Sequence, residues 1–228
     1  MSAKRRSRSP VRLPAAVDPE TRILDSAARL FRNQGFAATG LREIARDAGM
    51  LLGSLQYRFP TKEALLVRLM ERAVTRATDA VRAAIEQTRE PLERLRLSMI
   101  AHLEVLLSGD DAVYVLLYDW RVLAGDARES VVRLRDRYEA LWTGILYEAV
   151  GSGRLRPGID VGLLRLLGFG AINWVATWYR PEGAMTPAQI ADAIFRTMTL
   201  GVLSEDARKL VDRPPTSMDA TPTTTRRR

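Results

Sequence analysis

The sequence predicts an all-α protein of about nine helices. Glycine and proline fall mainly at intervals of a helix length, and no stretch alternates apolar and polar residues as a half-buried strand does. The chain has 228 residues and no cysteine, and this length is enough to bury a sizeable core without disulfide bonds. These observations favour one large helical domain, or two smaller ones, without covalent cross-links.

Three helices are predicted in the N-terminal part of the chain. The first begins with Asp18 as its N-cap and Pro19 at the first helical position, and it ends at Gly35. The second covers about residues 41–48 and the third about residues 52–58.

Six further helices follow in the sequence. Thr61 is the expected N-cap of the fourth helix, and Pro91 lies in the first turn of the fifth. Thr186 and Pro187 open the last one in the same way. The predicted ranges are about 61–88, 91–108, 110–123, 127–150, 160–180 and 187–208.

The net charge of +8 is concentrated near the N-terminus. Residues 1–60 contain 11 basic and 5 acidic side chains, whereas the rest of the chain is nearly balanced. An excess of positive charge at one end is typical of a protein that binds a polyanion such as nucleic acid.

Neither terminal segment carries a periodic apolar face. Residues 1–17 are rich in Ser, Arg and Pro and residues 211–228 in Pro and Thr, so both are expected to be disordered. The basic start is not followed by an apolar run of signal-peptide length, and the longest uncharged run, 166–179, is too short to span a bilayer. We expect a cytoplasmic protein with no membrane partner.

The composition disfavours an enzyme. A single histidine and no cysteine exclude a cysteine nucleophile and a zinc site of Cys and His ligands, and leave little for acid–base chemistry at neutral pH. No catalytic residue, metal site or cofactor is predicted.

Residues 41–58 have the spacing of a helix-turn-helix. Ala45 is small where two crossing helices meet, Gly49 lies at the turn where a positive φ is needed, and Leu55 packs the second helix onto the first. The pattern alone is weak, because it occurs often in Ala-rich helical proteins.

The surrounding sequence makes the pattern specific. The segments FAATGLREIARDAG at 36–49 and GSLQYRFPTKEAL at 53–65 resemble the DNA-binding domain of the TetR family of bacterial transcriptional regulators, over about residues 20–66. The resemblance implies a homodimeric helical repressor that releases DNA when a small molecule binds. It also implies a DNA-binding domain at 18–66 and a ligand-binding and dimerisation domain at 67–210.

The resemblance assigns four DNA contacts. Thr39 and Arg42 match positions at the start of the second helix that touch phosphates or bases. Tyr57 matches an aromatic residue that packs against the DNA backbone, and Lys62 matches a phosphate-contacting lysine. Two alternatives stay open, namely that Tyr57 is a core aromatic and that Arg46 is only a solvated charge.

The third helix is the expected recognition helix. Ser54, Gln56 and Arg58 lie where base edges are reached, with arginine suited to guanine and glutamine to adenine. Leu51 and Leu52 stand where the family usually has a polar pair, so the helix loses its usual N-cap and a polar reader. Leu51 or Leu52 is expected to contact thymine methyl groups, or else the pair weakens or alters DNA recognition.

The C-terminal part is rich in aromatic residues with a few polar ones between them. Facing helices of this composition indicate a largely apolar cavity with polar anchoring points, although a packed core is the alternative. A lone histidine on an apolar face, such as His102, is more often a core histidine with satisfied hydrogen bonds than a ligand-binding group. The predicted ligand-binding residues are Met99, His102, Leu103, Tyr114, Tyr118, Arg121, Trp142, Asn173, Trp174 and Trp178.

A second resemblance covers about residues 128–200. The segment AINWVATWYRP at 171–181 is similar to TetR-family regulators whose ligands include acyl-CoA thioesters and intermediates of lipid or steroid degradation. Members of that subgroup often have arginine near position 177, where this chain has Thr177. Arg121, Arg165 and Arg180 are candidates to meet an anionic ligand, or are surface charges.

The last two helices each show an apolar face, and a two-fold copy of the pair makes the four-helix dimer interface usual in the family. The face residues are Leu163, Leu164, Leu167, Phe169 and Gly170 on one helix and Ile190, Ile194, Phe195, Met198 and Leu203 on the other.

The sequence is therefore interpreted as a ligand-responsive transcriptional repressor that binds a double-stranded, pseudo-palindromic operator and is released by a hydrophobic or acyl-CoA-like effector. Two alternatives are a helical interaction adaptor that no longer reads DNA and an enzyme that uses the Trp-lined cavity.

Overall fold

The computed structural model describes residues 18–200, which form nine α-helices and no strand. The two tails at 1–17 and 211–228, and the predicted continuation of the last helix to 208, lie outside the described residues. The helices are α1 (Pro19–Gln34), α2 (Leu41–Asp47), α3 (Leu52–Arg58), α4 (Lys62–Ile85), α5 (Pro91–Leu106), α6 (Asp111–Tyr118), α7 (Gly125–Gly151), α8 (Val161–Trp178) and α9 (Pro187–Leu200), with a 3₁₀ helix at Trp120–Val122.

The first three helices begin and end at the residues that the sequence indicates. The Asp18 carboxylate accepts a hydrogen bond from the backbone N–H of Thr21 at 3.1 Å, and Gly35 ends α1 with a φ of 83°. In the helix-turn-helix, Gly49 has a φ of 66°, while Ala45 and Leu55 are buried between α2 and α3. The predicted turn geometry is confirmed.

Helix α4 contributes to two hydrophobic clusters. Leu65 and Leu69 pack with the buried residues of α1–α3 and of α6. Val74 and Val81, further along the same helix, pack with α5 and with α7–α9. We call α1–α3 with the first turns of α4 the head, and the remaining helices the body. One continuous helix joins the cores of both parts.

The largest departure from the predicted helices lies between α6 and α7. A single helix over 110–123 was expected, but α6 ends at Tyr118 and the 3₁₀ turn follows. Leu123 is extended, with φ of −75° and ψ of 144°, and its side chain is buried in the core of the head. Burial of this side chain outweighs the propensity of the segment to continue as a helix. Helix α4 also ends three residues early, at Ile85.

Ion pairs join α1 and α4 to the start of α6. The Arg32 guanidinium lies 2.7 Å from the Asp111 carboxylate and covers the Tyr114 ring, and Arg76 on α4 lies 2.7 Å from Asp110. A shift of α6 therefore acts directly on α1 and α4.

Candidate functional site

The outer face of α3 is exposed along its whole length. Ser54, Gln56 and Arg58 all face solvent, and Tyr57 is 91% exposed. The alternative that Tyr57 is a core aromatic is therefore wrong. Leu55 alone is fully buried on this helix, where it fixes α3 against α2.

Three arginines on this side of the head have no partner within the described residues. The guanidinium groups of Arg42, Arg46 and Arg58 are exposed and form neither an ion pair nor a hydrogen bond with the residues between 18 and 200. By contrast, Arg29 on α1 pairs with Asp47 on α2. The unpaired arginines are available to an external anion, including Arg46, which was given no role above.

The start of α3 lacks a side-chain cap, as its leucine pair predicts. Leu51 occupies the N-cap position and is exposed, and no side chain accepts from the first N–H groups of the helix. Leu52 is half-buried and packs against the core of the head. Of the two, Leu51 is the apolar side chain presented outward.

Thr39 does not lie on the exposed surface. Its side chain is 1% exposed, and its hydroxyl donates to the Gly35 carbonyl at 2.8 Å and accepts from the Gln34 amide at 3.3 Å. These contacts hold the turn between α1 and α2. The expected contact between the Thr39 side chain and DNA is incompatible with this burial.

Lys62 also points into the protein. Its ammonium donates to the carbonyl oxygens of Phe36 at 2.6 Å, Thr39 at 2.9 Å and Ala37 at 3.3 Å, and lies 4.3 Å from the centre of the Phe36 ring. All three N–H donors of the ammonium are thereby engaged. The structure assigns Lys62 to the α1–α2 turn rather than to the predicted phosphate contact, and nothing in its local sequence signals this.

A second group of candidate residues surrounds His102 on α5. The Nδ1 atom of His102 lies 2.7 Å from the Tyr138 hydroxyl on α7, and the Nε2 atom lies 3.0 Å from Asn173 Oδ1 on α8. The rings of Trp142 and Phe169 pack against the imidazole with centroids 5.8 and 5.7 Å away. Three helices thus meet at one buried imidazole.

Burial controls the ionisation of this group. It lowers the pKa of His102, although the hydrogen bond that the imidazole donates to Asn173 Oδ1 opposes the shift. It also raises the pKa of Tyr138, an effect that the neighbouring indole N–H of Trp142 partly offsets. Both rings are neutral at pH 7. With Asn173 Oδ1 as acceptor, His102 carries its proton on Nε2 and accepts from the Tyr138 hydroxyl.

Trp142 is the unsatisfied member of the cluster. Its side chain is buried, and its indole Nε1 forms no well-formed hydrogen bond. Met99 and Leu103, also predicted to bind ligand, are buried in the same hydrophobic cluster. Phe169, expected on the dimer face, instead lies among these rings. Because α8 is a largely apolar helix, its sequence does not show whether Phe169 faces the interior or the surface.

The remaining predicted ligand residues lie elsewhere. Trp174 and Trp178 are 66% and 51% exposed on α8, and Tyr114 and Tyr118 are partly exposed on α6. Arg121 is exposed on the 3₁₀ helix. A cavity lined jointly by Trp142, Trp174 and Trp178 is therefore not formed within one chain, because the two C-terminal tryptophans lie on the outer face of α8.

That outer face of α8 is a continuous apolar stripe. Val161–Trp178 is the one helix among residues 18–200 whose length and mean hydropathy of 1.3 would suffice to cross a membrane. Its inner face is buried through Ile172 and Val175, and Arg165 pairs with Glu139 on α7. The exposed residues of the stripe are Leu163, Leu166, Leu167, Trp174 and Trp178.

Two family models match the chain. Residues 23–69 match the bacterial regulatory proteins of the tetR family, and residues 88–202 match the tetracyclin repressor-like C-terminal domain. The first match contains the helix-turn-helix and the second contains most of the body.

Relatives and solved structures agree with these matches. The transcriptional repressor KstR2 of Rhodococcus jostii is 30% identical over 81% of this chain and 91% of its own, and KstR2 of Mycobacterium tuberculosis is 29% identical over 80% and 92%. The crystal structure of AibR in complex with isovaleryl coenzyme A and operator DNA superposes with a TM-score of 0.72 at 25% identity, over 80% of this chain and 98% of that one. The chain therefore belongs to the tetR family of bacterial transcriptional regulators.

Proposed function

We propose that this protein is a cytoplasmic repressor that binds a pseudo-palindromic operator as a homodimer and is released from it by an acyl-CoA-like effector. Residues 18–66 bind DNA, and residues 67–210 bind the effector and dimerise. The protein acts by binding and not by catalysis. The observation that carries the proposal is α4, which packs into the core of the head at one end and into the hydrophobic cluster of the body at the other. The cluster of the body contains the rings that pack around His102, and we call His102, Tyr138, Trp142 and Phe169 the ring cluster.

The exposed face of α3 supports the DNA-binding part. Gln56 and Arg58 have the hydrogen-bonding groups that read adenine and guanine in the major groove. Arg42, Arg46 and Tyr57 surround them with groups suited to phosphates. Because α3 is held against α2 by the buried Leu55, these side chains move as one rigid unit.

The stripe on α8 supports the homodimer. An exposed apolar patch of this kind is typical of a protein interface, and a two-fold axis pairs each stripe with its own copy. Gly170 has open space around it and permits close approach of the partner helix. Gly168, by contrast, faces Met198 of α9 within the chain.

The ring cluster supports an effector site in the body. It contains buried apolar side chains with a few polar groups, which is the usual make-up of small-molecule sites. AibR, which is similar in fold and 25% identical, was crystallised with isovaleryl coenzyme A and operator DNA. A ligand that separates α5, α7 and α8 would move α4, and with it the spacing of the two recognition helices in the dimer. Ligand and DNA affinity are then coupled reciprocally, typically by ~1–3 kcal/mol.

Binding to DNA from upstream of the protein's own gene tests the proposal. Fluorescence anisotropy should show tight binding of this DNA, and a scrambled duplex added as competitor should not displace it. Isovaleryl-CoA or a longer acyl-CoA should release the DNA. If the protein binds the DNA but no acyl-CoA releases it, the proposed role as a repressor stands and the proposed acyl-CoA effector is wrong. No preference over the scrambled duplex would favour the helical adaptor, with Leu51 as the disabling residue.

A further inference from the structure

Three arginines converge on one tryptophan ring at the junction of α6 and α7. The guanidinium carbons of Arg121 and Arg128 each lie 5.2 Å from the centre of the Trp120 ring, and that of Arg135 lies 4.6 Å away. The three charges are therefore within about 10 Å of one another, stacked around one indole.

None of the three has an anionic partner within the described residues. Arg121, Arg128 and Arg135 form neither an ion pair nor a side-chain hydrogen bond there, whereas Arg133 on the same helix pairs with Glu129 at 3.3 Å. Like charges at this spacing repel, and the indole faces offset this only in part. The N–H edges of three guanidinium groups are left to an external anion, and phosphate fits them best.

The arginines continue into the ring cluster along one side of α7. Arg128, Arg135 and Trp142 are seven residues apart in turn, so they lie in one row along the helix. The row is about 21 Å long at 1.5 Å per residue. It begins at the exposed Arg128, continues through the half-buried Arg135 and ends at the buried indole N–H of Trp142, which forms no well-formed hydrogen bond with the residues between 18 and 200. Such a gradient matches a long ligand with a phosphorylated end and an apolar end.

We infer that Arg121, Arg128 and Arg135 bind the phosphate groups of a CoA thioester whose acyl end enters the body beside Trp142. This inference rests on the proposed effector class and names the residues that recognise the phosphorylated part. The ligand bridges the 3₁₀ helix, which follows directly on α6, to α7. It therefore acts on the same α6 that is ion-paired to Arg32 and Arg76 of α1 and α4.

Operator phosphate is the other polyanion that the family matches suggest. The position of the cluster favours the ligand, because its row on α7 leads to the ring cluster of the body rather than to the exposed face of α3. The two occupants give different results when the arginines are replaced, since only a DNA contact changes operator affinity in the absence of effector.

The test compares two probes on full-length protein. Isovaleryl-CoA and the isovaleryl thioester of pantetheine share the acyl end, but only the first carries phosphates. Arg128→Gln and Arg135→Gln should each weaken isovaleryl-CoA binding roughly tenfold or more, as loss of a charge-assisted hydrogen bond does. Binding of the pantetheine thioester should be unchanged. Arg133→Gln is the matched control and should alter neither. Thermal melts of each variant confirm that it is folded, and Arg121→Gln provides a second position outside α7.

Each other outcome overturns the inference in a distinguishable way. If isovaleryl-CoA binds the variants as tightly as the parent protein, the cluster is not the phosphate site, although the proposed effector class stands. If the parent protein binds neither isovaleryl-CoA nor stearoyl-CoA, the effector class and the cluster assignment both fail, whereas the DNA-binding proposal stands. If the variants weaken operator binding without effector and flatten its salt dependence, the cluster contacts DNA.

Discussion

The ammonium of Lys62 lies 2.6 Å from the carbonyl oxygen of Phe36 and covers the ring of the same residue at 4.3 Å. The first residue of α4 thereby closes the turn that leads into α2. A cation that satisfies three carbonyl oxygens at once fixes the angle at which the helix-turn-helix leaves α1.

Replacing Lys62 with Met should therefore destabilise the head rather than remove a phosphate contact. The loss of hydrogen bonds from a charged donor should lower the free energy of unfolding by about 1.5–3 kcal/mol. Operator affinity should fall with it, but the slope of log affinity against log salt should stay nearly constant. If the slope instead becomes shallower by about one unit and the stability is unchanged, Lys62 contacts a DNA phosphate directly, as the sequence predicted. Chemical denaturation and anisotropy titrations at several salt concentrations measure both quantities.

Arg58 should read one operator base pair and its symmetry mate. Its guanidinium on α3 is exposed, has no partner among residues 18–200 and is placed for a guanine edge, so Arg58→Ala should cost ~1–3 kcal/mol at that position and relax its preference. Arg46→Ala is the control. If Arg46 contacts a phosphate, this change lowers the affinity for all DNA sequences alike, and if Arg46 is only solvated, it changes the affinity for none. Binding-site selection followed by sequencing distinguishes the two. If the Arg58→Ala variant keeps the base preference of the parent protein, Arg58 contacts the DNA backbone and does not read a base.

The burial of His102 should make stability depend on pH. Because burial lowers the pKa of His102, the unfolded chain takes up a proton near pH 6.5 while the folded protein does not. The stabilisation is complete above pH 6.5 and is lost as the pH falls towards the lowered folded value, by at most about 1.4 kcal/mol per pH unit. His102 is the single histidine, so the difference between the parent and His102→Gln isolates the effect. Urea unfolding between pH 8 and pH 5.5 should show the two curves converging as the pH falls, and parallel curves would contradict the assignment.

Local sequence signals predicted the start and end of the short helices well. Asp18, Gly49 and Thr61 act within three or four residues of where they stand, through caps and a positive φ, so their neighbours in the sequence suffice to interpret them. Long-range partners were not predictable in the same way. Thr39 and Lys62 have the residue types of DNA contacts, and only the packing of α4 on the α1–α2 turn shows that they face inward.

The body illustrates the same limit for helix faces. His102 and Trp142, which the sequence groups by their aromatic and polar pattern, do lie side by side with ring centroids 5.8 Å apart, and their role in binding a ligand stays a prediction. Trp174 and Trp178 were grouped with them on residue type alone. In α8 they lie on the face opposite to the buried Ile172 and Val175. Because α8 is apolar on both faces, it has no polar side that would distinguish its inner face from its outer face in the sequence.

The apolar stripe of α8 should hold the dimer together. A carboxylate placed in the middle of a packed interface is buried without a partner, which costs far more than the surface charge does in the monomer. Trp174→Asp should therefore raise the dimer dissociation constant by at least a hundredfold, on the order of 3 kcal/mol for a hot-spot residue. Leu51→Asp, at an equally exposed leucine of the head, is the matched control and should leave the dimer intact while it changes DNA binding. Sedimentation velocity at micromolar and nanomolar concentrations measures the dissociation. A dimer that survives Trp174→Asp and Leu167→Asp together would place the interface on another surface of the body.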